Sequence, residues 1–131
     1  MRYLLDSMIW LWSIGDVARL NKEARDVLTA PQNELYLSSA SIWEIAIKVS
    51  IGRLQVPEPL RLLVPREIQR QGLKPLQVSY SHALGVSDLP LHHGDPFDRL
   101  LVAQARSEGL VLITSDRDIK RYPVQILWAG R

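Results

Sequence analysis

The chain has 131 residues, a length that fits one domain with one hydrophobic core. Its apolar content of 47% argues against intrinsic disorder, and the absence of cysteine excludes a disulfide framework and a zinc site built from thiolates. The net charge of +2 is too weak to indicate nucleic-acid binding by itself.

The N-terminal segment MRYLLDSMIWLWSIG resembles the apolar core of a signal peptide. However, Asp6 interrupts it, no small-residue cleavage site follows, and the run MIWLWSI is far shorter than the roughly 20 residues of a membrane span. We therefore expect a buried strand that leads into a helix, and no membrane segment. A cytoplasmic location is expected, and the absence of cysteine suits it.

Predicted strands and helices alternate to the end of the chain. Strands are expected over residues 2–5, 34–37, 73–78, 110–114 and 124–128. Helices are expected directly after the first strand, over residues 21–28, 40–51, 60–71, 79–87 and 96–107, and as a single turn over 118–121. This alternation predicts an α/β fold, a three-layer α/β/α sandwich with a mostly parallel central sheet. Because no repeat or linker interrupts the chain, residues 1–131 are expected to form a single domain.

Two of the predicted helices carry further expectations. The helix over residues 40–51 is apolar on nearly every side, so we expect it to be buried, and Gly52 is well placed to end it. The helix over residues 60–71 is amphipathic and basic, and Pro65 must start, kink or split it.

Acidic residues follow two of the predicted strands. Asp6 comes directly after the first strand, and Asp116 comes after LVLITS. The carboxyl ends of parallel strands lie at one edge of a sheet, where such folds bind ligands. The alternative is that both residues cap the helical turns that follow them, and Asp118 competes with Asp116 for either role.

Asp95 and Asp98 flank the start of a predicted helix. Asp95 is well suited to cap this helix, with Pro96 in the first helical position. The helix dipole favours a negative charge at Asp98, but this residue also lies on the helix face that carries Leu101 and Val102. Asp98 should therefore point inward, at the rim of the core.

Glu44 lies among apolar residues in ASIWEIAIKVSI. A carboxylate in a buried helix needs a partner or a metal ion. Lys48 follows four residues later, so a salt bridge within the helix is the alternative to a functional role.

Together, the separated acids predict a metal site if they converge. Carboxylates held close together raise one another's pKa until protons or a cation neutralise them. Ligands that are all oxygen select a hard cation such as Mg²⁺ or Mn²⁺. Such a cluster beside basic residues favours phosphodiester hydrolysis, because the metal activates water and stabilises the charge that grows on phosphate.

Four segments resemble the successive motifs of PIN-domain ribonucleases. They are LLDSMIWLW, SSASIWEIAIK, HHGDPFDRLLVAQA and LITSD. The chain is especially similar to the VapC-type toxins of bacterial toxin–antitoxin pairs whose third motif reads DPFDR. The resemblance runs from the first strand to the last, and the order and spacing of all four motifs make it specific.

This resemblance implies a function and a set of site residues. It implies Asp6, Glu44, Asp98 and Asp116 as the cluster that binds Mg²⁺ or Mn²⁺ and cleaves RNA. Asp95 is a cap and a possible outer group of that cluster, and Asp118 is the alternative to Asp116. The resemblance further implies a homodimer and a small VapB-like antitoxin that blocks the active site.

Other functional interpretations are weaker. A non-catalytic binding module with the same fold would not need four carboxylates held together. A receiver-like or phosphatase-like domain would need an early acid pair or a D-x-D arrangement, whereas Ser7 and Met8 follow Asp6.

Several non-acidic residues are open to both structural and functional interpretations. His92 and His93 precede the DPFDR motif, and loop histidines are most often surface residues. Trp10 and Trp12 could stack RNA bases, although packing in the core or a dimer interface is favoured. The basic residues form two groups, for which a solvated surface is the favoured interpretation: Arg61, Arg66, Arg70 and Lys74, and then Arg117, Lys120 and Arg121.

Overall fold

The computed structural model describes all residues, 1–131. Its strands are β1 (Arg2–Leu5), β2 (Glu34–Ser38), β3 (Lys74–Leu76), β4 (Val111–Thr114) and β5 (Ile126–Trp128). Its α-helices are α1 (Ser7–Gly15), α2 (Lys22–Thr29), α3 (Ser39–Ser50), α4 (Leu60–Gln71), α5 (Tyr80–Gly85) and α6 (Pro96–Glu108). Single 3-10 turns cover Val17–Arg19, Val86–Asp88 and Ile119–Arg121. The predicted alternation of strands and helices is confirmed.

The five strands form one parallel sheet in the order β3-β2-β1-β4-β5. β1 lies in the middle, so the chain builds the sheet outward in one direction through β2 and β3 and in the other through β4 and β5. Ligands of open parallel sheets bind at the carboxyl ends of the strands where the direction of winding switches. Here that point lies between β1 and β4.

Side chains that alternate along the strands enter two separate cores. Tyr3 and Leu5 face a core that includes Trp10 of α1, Ala24 of α2 and Ile45 of α3, with α4 packed against it. Leu4 points to the opposite face of the sheet, into a core that contains α6 residues such as Leu101 and Val102. α5 packs against α6 on this second side. The predicted three-layer α/β/α sandwich is therefore confirmed.

The edge strands are shorter than predicted. β3 covers only Lys74–Leu76 of the expected residues 73–78, and it contains Pro75. Proline cannot donate a ladder hydrogen bond, so it is tolerated at the sheet edge, where β3 lies. At the other edge, β5 begins two residues later than expected, at Ile126.

The expectation that α3 is buried on nearly every side is wrong. Glu44 and Ile45 are buried, but Trp43 is 62% exposed. The ring of Trp43 packs edge-on against that of Phe97, with the ring centroids 5.2 Å apart. The apolar composition of a helix does not show which of its side chains enter the core and which, like Trp43, pack at the surface. Gly52 follows the helix with a φ of 75°, a left-handed conformation typical of helix ends.

α4 passes through Pro65 without interruption. The helix runs from Leu60 to Gln71, so Pro65 neither starts nor splits it. Leu63 is buried on the core side, and Gly72 ends the helix with a φ of 66°. None of the helices in this structure is both long enough and apolar enough to cross a membrane.

Candidate active site

The predicted acids meet in one cleft at the carboxyl ends of β1 and β4. The cleft has a volume of about 500 Å³ and is called the acid cleft below. Its acidic residues are Asp6, Glu44, Asp95, Asp98 and Asp116. Lys48 and Arg53 supply the basic side chains of its wall. Asp118 is exposed and does not line the cleft.

Asp6 does not act as the helix cap that the alternative interpretation required. It occupies the position before α1, but its side chain makes no capping hydrogen bond. Its carboxylate instead accepts a hydrogen bond from the hydroxyl of Thr114, at 2.8 Å between Oγ1 and Oδ2. Because Thr114 ends β4, this bond ties the ends of the two central strands together and aims Asp6 into the cleft.

Glu44 forms the predicted salt bridge with Lys48 and also lines the acid cleft. Lys48 Nζ lies 2.9 Å from Glu44 Oε2, so the predicted salt bridge is present. Ser7 Oγ donates to the other oxygen at 2.7 Å. The side chain is buried and lines the acid cleft, so these two contacts fix its orientation there.

At the start of α6, Asp95 caps the helix, whereas Asp98 directs its carboxylate to the acid cleft. Asp95 Oδ1 accepts from the backbone N–H of Phe97 at 2.8 Å and from that of Asp98 at 3.4 Å, so Asp95 caps the helix as expected. The carboxylate of Asp98 caps no backbone N–H, and the residue is 9% exposed. Both side chains line the acid cleft.

Asp116 and Asp118 lie in one turn, but only Asp116 reaches the cleft. Asp116 Oδ1 accepts from the backbone N–H of Asp118 at 2.8 Å. The backbone N–H of Asp116 donates to Thr114 Oγ1 at 3.0 Å. The hydroxyl of Thr114 therefore contacts both Asp6 and Asp116, and Asp118 contributes its backbone rather than its carboxylate.

His93 is a site residue that the sequence interpretation missed. Its Nε2 lies 3.0 Å from Asp98 Oδ2 and 2.8 Å from Asp116 Oδ2. His93 Nε2 and one oxygen of each of the two acids lie within 4.8 Å of one another. The expectation of a surface histidine is wrong, because the side chain is only 16% exposed.

The backbone determines which ring nitrogen of His93 faces the acids as a donor. The N–H of Asp95 donates to His93 Nδ1 at 3.0 Å, so the proton of the neutral ring lies on Nε2. Nε2–H is then shared between Asp98 and Asp116. The backbone N–H of His93 donates to the hydroxyl of Tyr122 at 2.9 Å, which holds this loop over the cleft.

The electrostatics of the cleft raise the pKa of two carboxyl groups. Burial raises the pKa of Asp98 to about 8, and the negative charges of Asp6, Asp95, Glu44 and Asp116 add to this effect. Burial raises the pKa of Asp6 to about 6, against the opposing effect of the Thr114 hydrogen bond and with a contribution from the charge of Glu44. The cluster therefore holds negative charge at a cost that a cation would relieve.

The side chains of the cleft fit a hard divalent cation. Asp6, Glu44, Asp98 and Asp116 offer carboxylate oxygens, and the chain has no thiolate to select a softer metal. The raised pKa values of Asp6 and Asp98 are those of a site that lacks enough positive charge of its own.

An apolar groove adjoins the acid cleft. The groove has a volume of about 310 Å³ and shares Met8, Leu11 and Leu54 with the cleft. Trp12 lines this groove, whereas Trp10 is fully buried in the core. Trp10 and Trp12 therefore have different environments, and only Trp12 is accessible to a ligand.

Comparison with known proteins gives concordant results for the sequence. The family model described as PIN domain matches residues 3–125. The chain is 29% identical to Ribonuclease VapC22 of Mycobacterium tuberculosis over 122 residues, which are 91% of this chain and 90% of that protein. It is 42% identical to Ribonuclease VapC16 of the same organism over 60 residues, but that alignment covers only 46% of this chain and 43% of VapC16.

The fold is similar to those of two solved complexes. VapBC2 from Rickettsia felis, bound to a DNA fragment from its promoter, has a TM-score of 0.74 and 19% identity, with 99% of this chain and 100% of that chain covered. DNA-bound VapBC from Salmonella typhimurium has a TM-score of 0.68 and 19% identity, with 97% of each chain covered. At this level of identity, the two likenesses concern the fold alone.

Proposed function

Because the chain belongs to the PIN-domain family, we propose that it is a VapC-type, metal-dependent endoribonuclease and the toxin of a toxin–antitoxin pair. The observation that carries this proposal is the convergence of carboxylates from β1, α3, α6 and the turn after β4 in one cleft. Two relatives named as ribonucleases support the reaction class. The substrate would be single-stranded or loop RNA, and the activity would be located in the cytoplasm, where such RNA occurs.

The acids of the cleft would hold Mg²⁺ or Mn²⁺. Thr114 contacts only Oδ2 of Asp6, and His93 contacts only Oδ2 of Asp98, so each of these two carboxylates keeps one oxygen for a metal. Both oxygens of Glu44 and both oxygens of Asp116 already accept hydrogen bonds. When bound, the metal would activate water and stabilise the charge that develops on the scissile phosphate.

Other side chains of the cleft would position the reacting groups. His93 would hold the carboxylates of Asp98 and Asp116 in one orientation through its shared Nε2–H. The ammonium of Lys48 lies on the cleft wall, and its hydrogen bond to Glu44 is the main cause that raises its pKa, so it stays charged. An RNA phosphate that approaches the cleft would meet this cation before it meets the acids.

A VapB-like antitoxin would inhibit the protein by covering the cleft and the apolar groove beside it. An arginine of the partner can pair with two carboxylates at once, and the raised pKa values of Asp6 and Asp98 indicate that a cation is favoured there. The groove, with Trp12 and Leu54, would supply apolar contact area. We expect expression of the protein alone to inhibit growth and a neighbouring gene to encode the antitoxin. Co-expression of that gene should suppress the growth inhibition, and replacement of the antitoxin's arginine by alanine should weaken the suppression.

The protein would act as a homodimer. The exposed side chains Tyr80 and Leu84 of α5, at 91% and 71%, offer apolar surface for such a contact. Sedimentation of the wild type against Leu84→Glu tests this assignment, because a charge in a dimer interface should shift the protein toward the monomer.

Metal-dependent cleavage tests the proposed reaction directly. The purified protein should cleave RNA in the presence of Mg²⁺ or Mn²⁺, EDTA should abolish the cleavage, and added metal should restore it. Sequencing the 5′ ends of cellular RNA fragments after brief expression would then identify the target. A protein that binds RNA but never cleaves it with either metal would be a binding module instead.

A further inference from the structure

A second groove, of opposite electrostatic character, adjoins the acid cleft. It has a volume of about 490 Å³ and is called the basic groove below. Its residues are Trp12, Ala18, Arg19, Ser115, Arg117, Trp128, Gly130 and Arg131. Three of these are arginines and none is Asp or Glu, although Arg19 pairs with Asp16 at 3.2 Å. Ser115 lines both the acid cleft and the basic groove, so the two are continuous at the surface.

The turn after β4 divides its side chains between the two sites. Asp116 lines the acid cleft, and the next residue, Arg117, lines the basic groove. Arg117 is exposed, and none of the ion pairs in the structure includes it. The solvated-surface interpretation of this basic group therefore leaves unexplained why an unpaired guanidinium lies directly beside the cluster of acids.

Two tryptophans frame the basic groove, and cations hold both of them. Lys120 Nζ lies 3.8 Å from the ring centroid of Trp128, and the guanidinium of Arg19 lies 5.4 Å from that of Trp12. Both rings are only partly buried. Aromatic rings beside cations are the combination that binds single-stranded nucleic acid, because the rings stack on bases while the cations pair with phosphates.

The wall of the basic groove is fixed by the end of the chain and by a glycine. Asn21 Nδ2 donates to the carbonyl of Trp128 at 2.8 Å and to that of Gly130 at 3.2 Å. A Cβ on Gly130 would lie 3.3 Å from Ser115 Cβ and 3.4 Å from Trp128 Nε1. A side chain at this position would therefore crowd the space between the two sites, which glycine leaves open.

We propose that the basic groove binds the single-stranded RNA segment that flanks the scissile phosphate. Bases would stack on Trp12 and Trp128, and Arg117 would pair with a backbone phosphate just before the strand enters the acid cleft. The carboxylates of the acid cleft would bind a metal ion, but they would also repel the phosphates of an RNA strand. Contacts in the basic groove would offset this repulsion. This inference rests on the proposed ribonuclease function and names the path of its substrate.

Binding to an inactive protein tests the inference without requiring cleavage. In the Asp98→Asn background, the anisotropy of a fluorescein-labelled single-stranded RNA of mixed sequence reports affinity over a range of salt concentrations. Arg117→Gln should weaken binding several-fold and reduce the salt slope by about one. Arg61→Gln is the matched control, because Arg61 is also exposed but lies outside both sites.

Stacking is tested at Trp128. Trp128→Leu should weaken binding roughly tenfold, and Trp128→Phe should retain most of the affinity because it keeps an aromatic face. A duplex of the same sequence should bind less tightly than the single strand, because its bases are not free to stack on the protein. Melting temperatures of the variants show whether any loss arises from unfolding.

The outcomes separate this inference from the proposed function. If Arg117→Gln and Trp128→Leu bind RNA as Arg61→Gln does, the inference is overturned even when the wild type cleaves RNA. If binding falls as expected but no metal supports cleavage, the groove stands and the nuclease assignment fails. If RNA binding is unchanged while suppression by the antitoxin weakens, the basic groove belongs to the protein partner and not to RNA.

Discussion

Two histidines at different places in the molecule are held by the same local device. The backbone N–H of Ser79 donates to His82 Nδ1 at 3.0 Å, and that of Asp95 donates to His93 Nδ1 at the same distance. In both rings, Nε2 is therefore the donor, and in both it faces carboxylate oxygen. The two histidines differ in the number of carboxylates that they contact and in the exposure of those carboxylates to solvent.

His82 stabilises the fold, whereas His93 contacts two acids of the acid cleft. His82 is 3% exposed and contacts the single carboxylate of Glu108 at 2.8 Å, whose side chain is 39% exposed to solvent. His93 is shared between two carboxylates of the cleft, Asp98 and Asp116. His82 has one carboxylate partner, Glu108, whose charge is solvated, so this contact is purely structural. His93 instead holds two carboxylates close together, and these carboxylates repel each other. Several carboxylates that are buried close together, rather than a single solvated one, distinguish the acid cleft from the surroundings of His82.

The largest contrast is expected between Asp98→Asn and His82→Ala in the cleavage assay. Asp98→Asn should lower kcat on the order of a hundred- to a thousandfold, because it removes a charge that would hold the metal, while the amide preserves the size of the side chain. His82→Ala should leave kcat unchanged wherever the protein is folded. Equal activity of Asp98→Asn and the wild type would contradict the assignment of the acid cleft.

The acid cleft should make the metal-free protein less stable as the pH rises. The pKa of Asp98 is raised in the fold from 3.8 to about 8, and that of Asp6 from 3.8 to about 6. The folded state therefore binds more protons than the unfolded state between pH 3.8 and about 8, and stability falls across that window. In EDTA, the wild type should melt at a lower temperature at about pH 8 than at about pH 5.5.

Two changes should reduce this pH dependence. Asp98→Asn should flatten the curve and raise the melting temperature at the upper end of the window, because the amide carries no charge. Divalent metal should stabilise the wild type at the same end through preferential binding to the folded state. A melting temperature that responds to neither change would mean that these acids do not share one electrostatic environment.

His82→Ala should be the more damaging variant for stability. The substitution removes the ring from Glu108, from the N–H of Ser79 and from the Nε2 of Gln104, at 3.3 Å. Loss of buried hydrogen bonds and of the packed ring should lower the free energy of unfolding by roughly 2–3 kcal/mol. Chemical denaturation measures this change, and Ser81→Ala, an exposed change on the same helix, is the control.

The acids of the site could be predicted from the sequence, but His93 could not. Asp6 directly follows β1 and Asp116 lies two residues after β4, so a parallel sheet alone brings them to one edge. Nothing local shows that the loop before α6 folds back over the cleft. The contact that holds this loop comes from Tyr122, which is 29 residues away from His93 in sequence. Loop placement depends on such distant contacts, whereas strand ends follow from topology.

The exposure of a side chain also depends on contacts that are distant in the sequence. The apolar neighbours of Trp43 in α3 predict that it is buried, but its ring packs near the surface against Phe97 of another helix, α6. Asp95 shows the opposite case, since capping by a residue before proline is a local property and was predicted in full. Interactions within one turn were predictable, whereas those between surface segments were not.

Substitutions of His93 test directly whether this histidine, unlike His82, contributes to metal binding. If His93 orients Asp98 and Asp116, then His93→Ala should lower the affinity for Mn²⁺ roughly ten- to a hundredfold, because the freed carboxylates repel each other and rotate apart. His93→Gln should recover part of this loss, since its amide N–H can still donate toward the acids. Calorimetric titration measures both affinities without any need for cleavage. An increase in Mn²⁺ affinity in His93→Ala would contradict the orienting role, because it would mean that the ring competes with the metal for the same two oxygens.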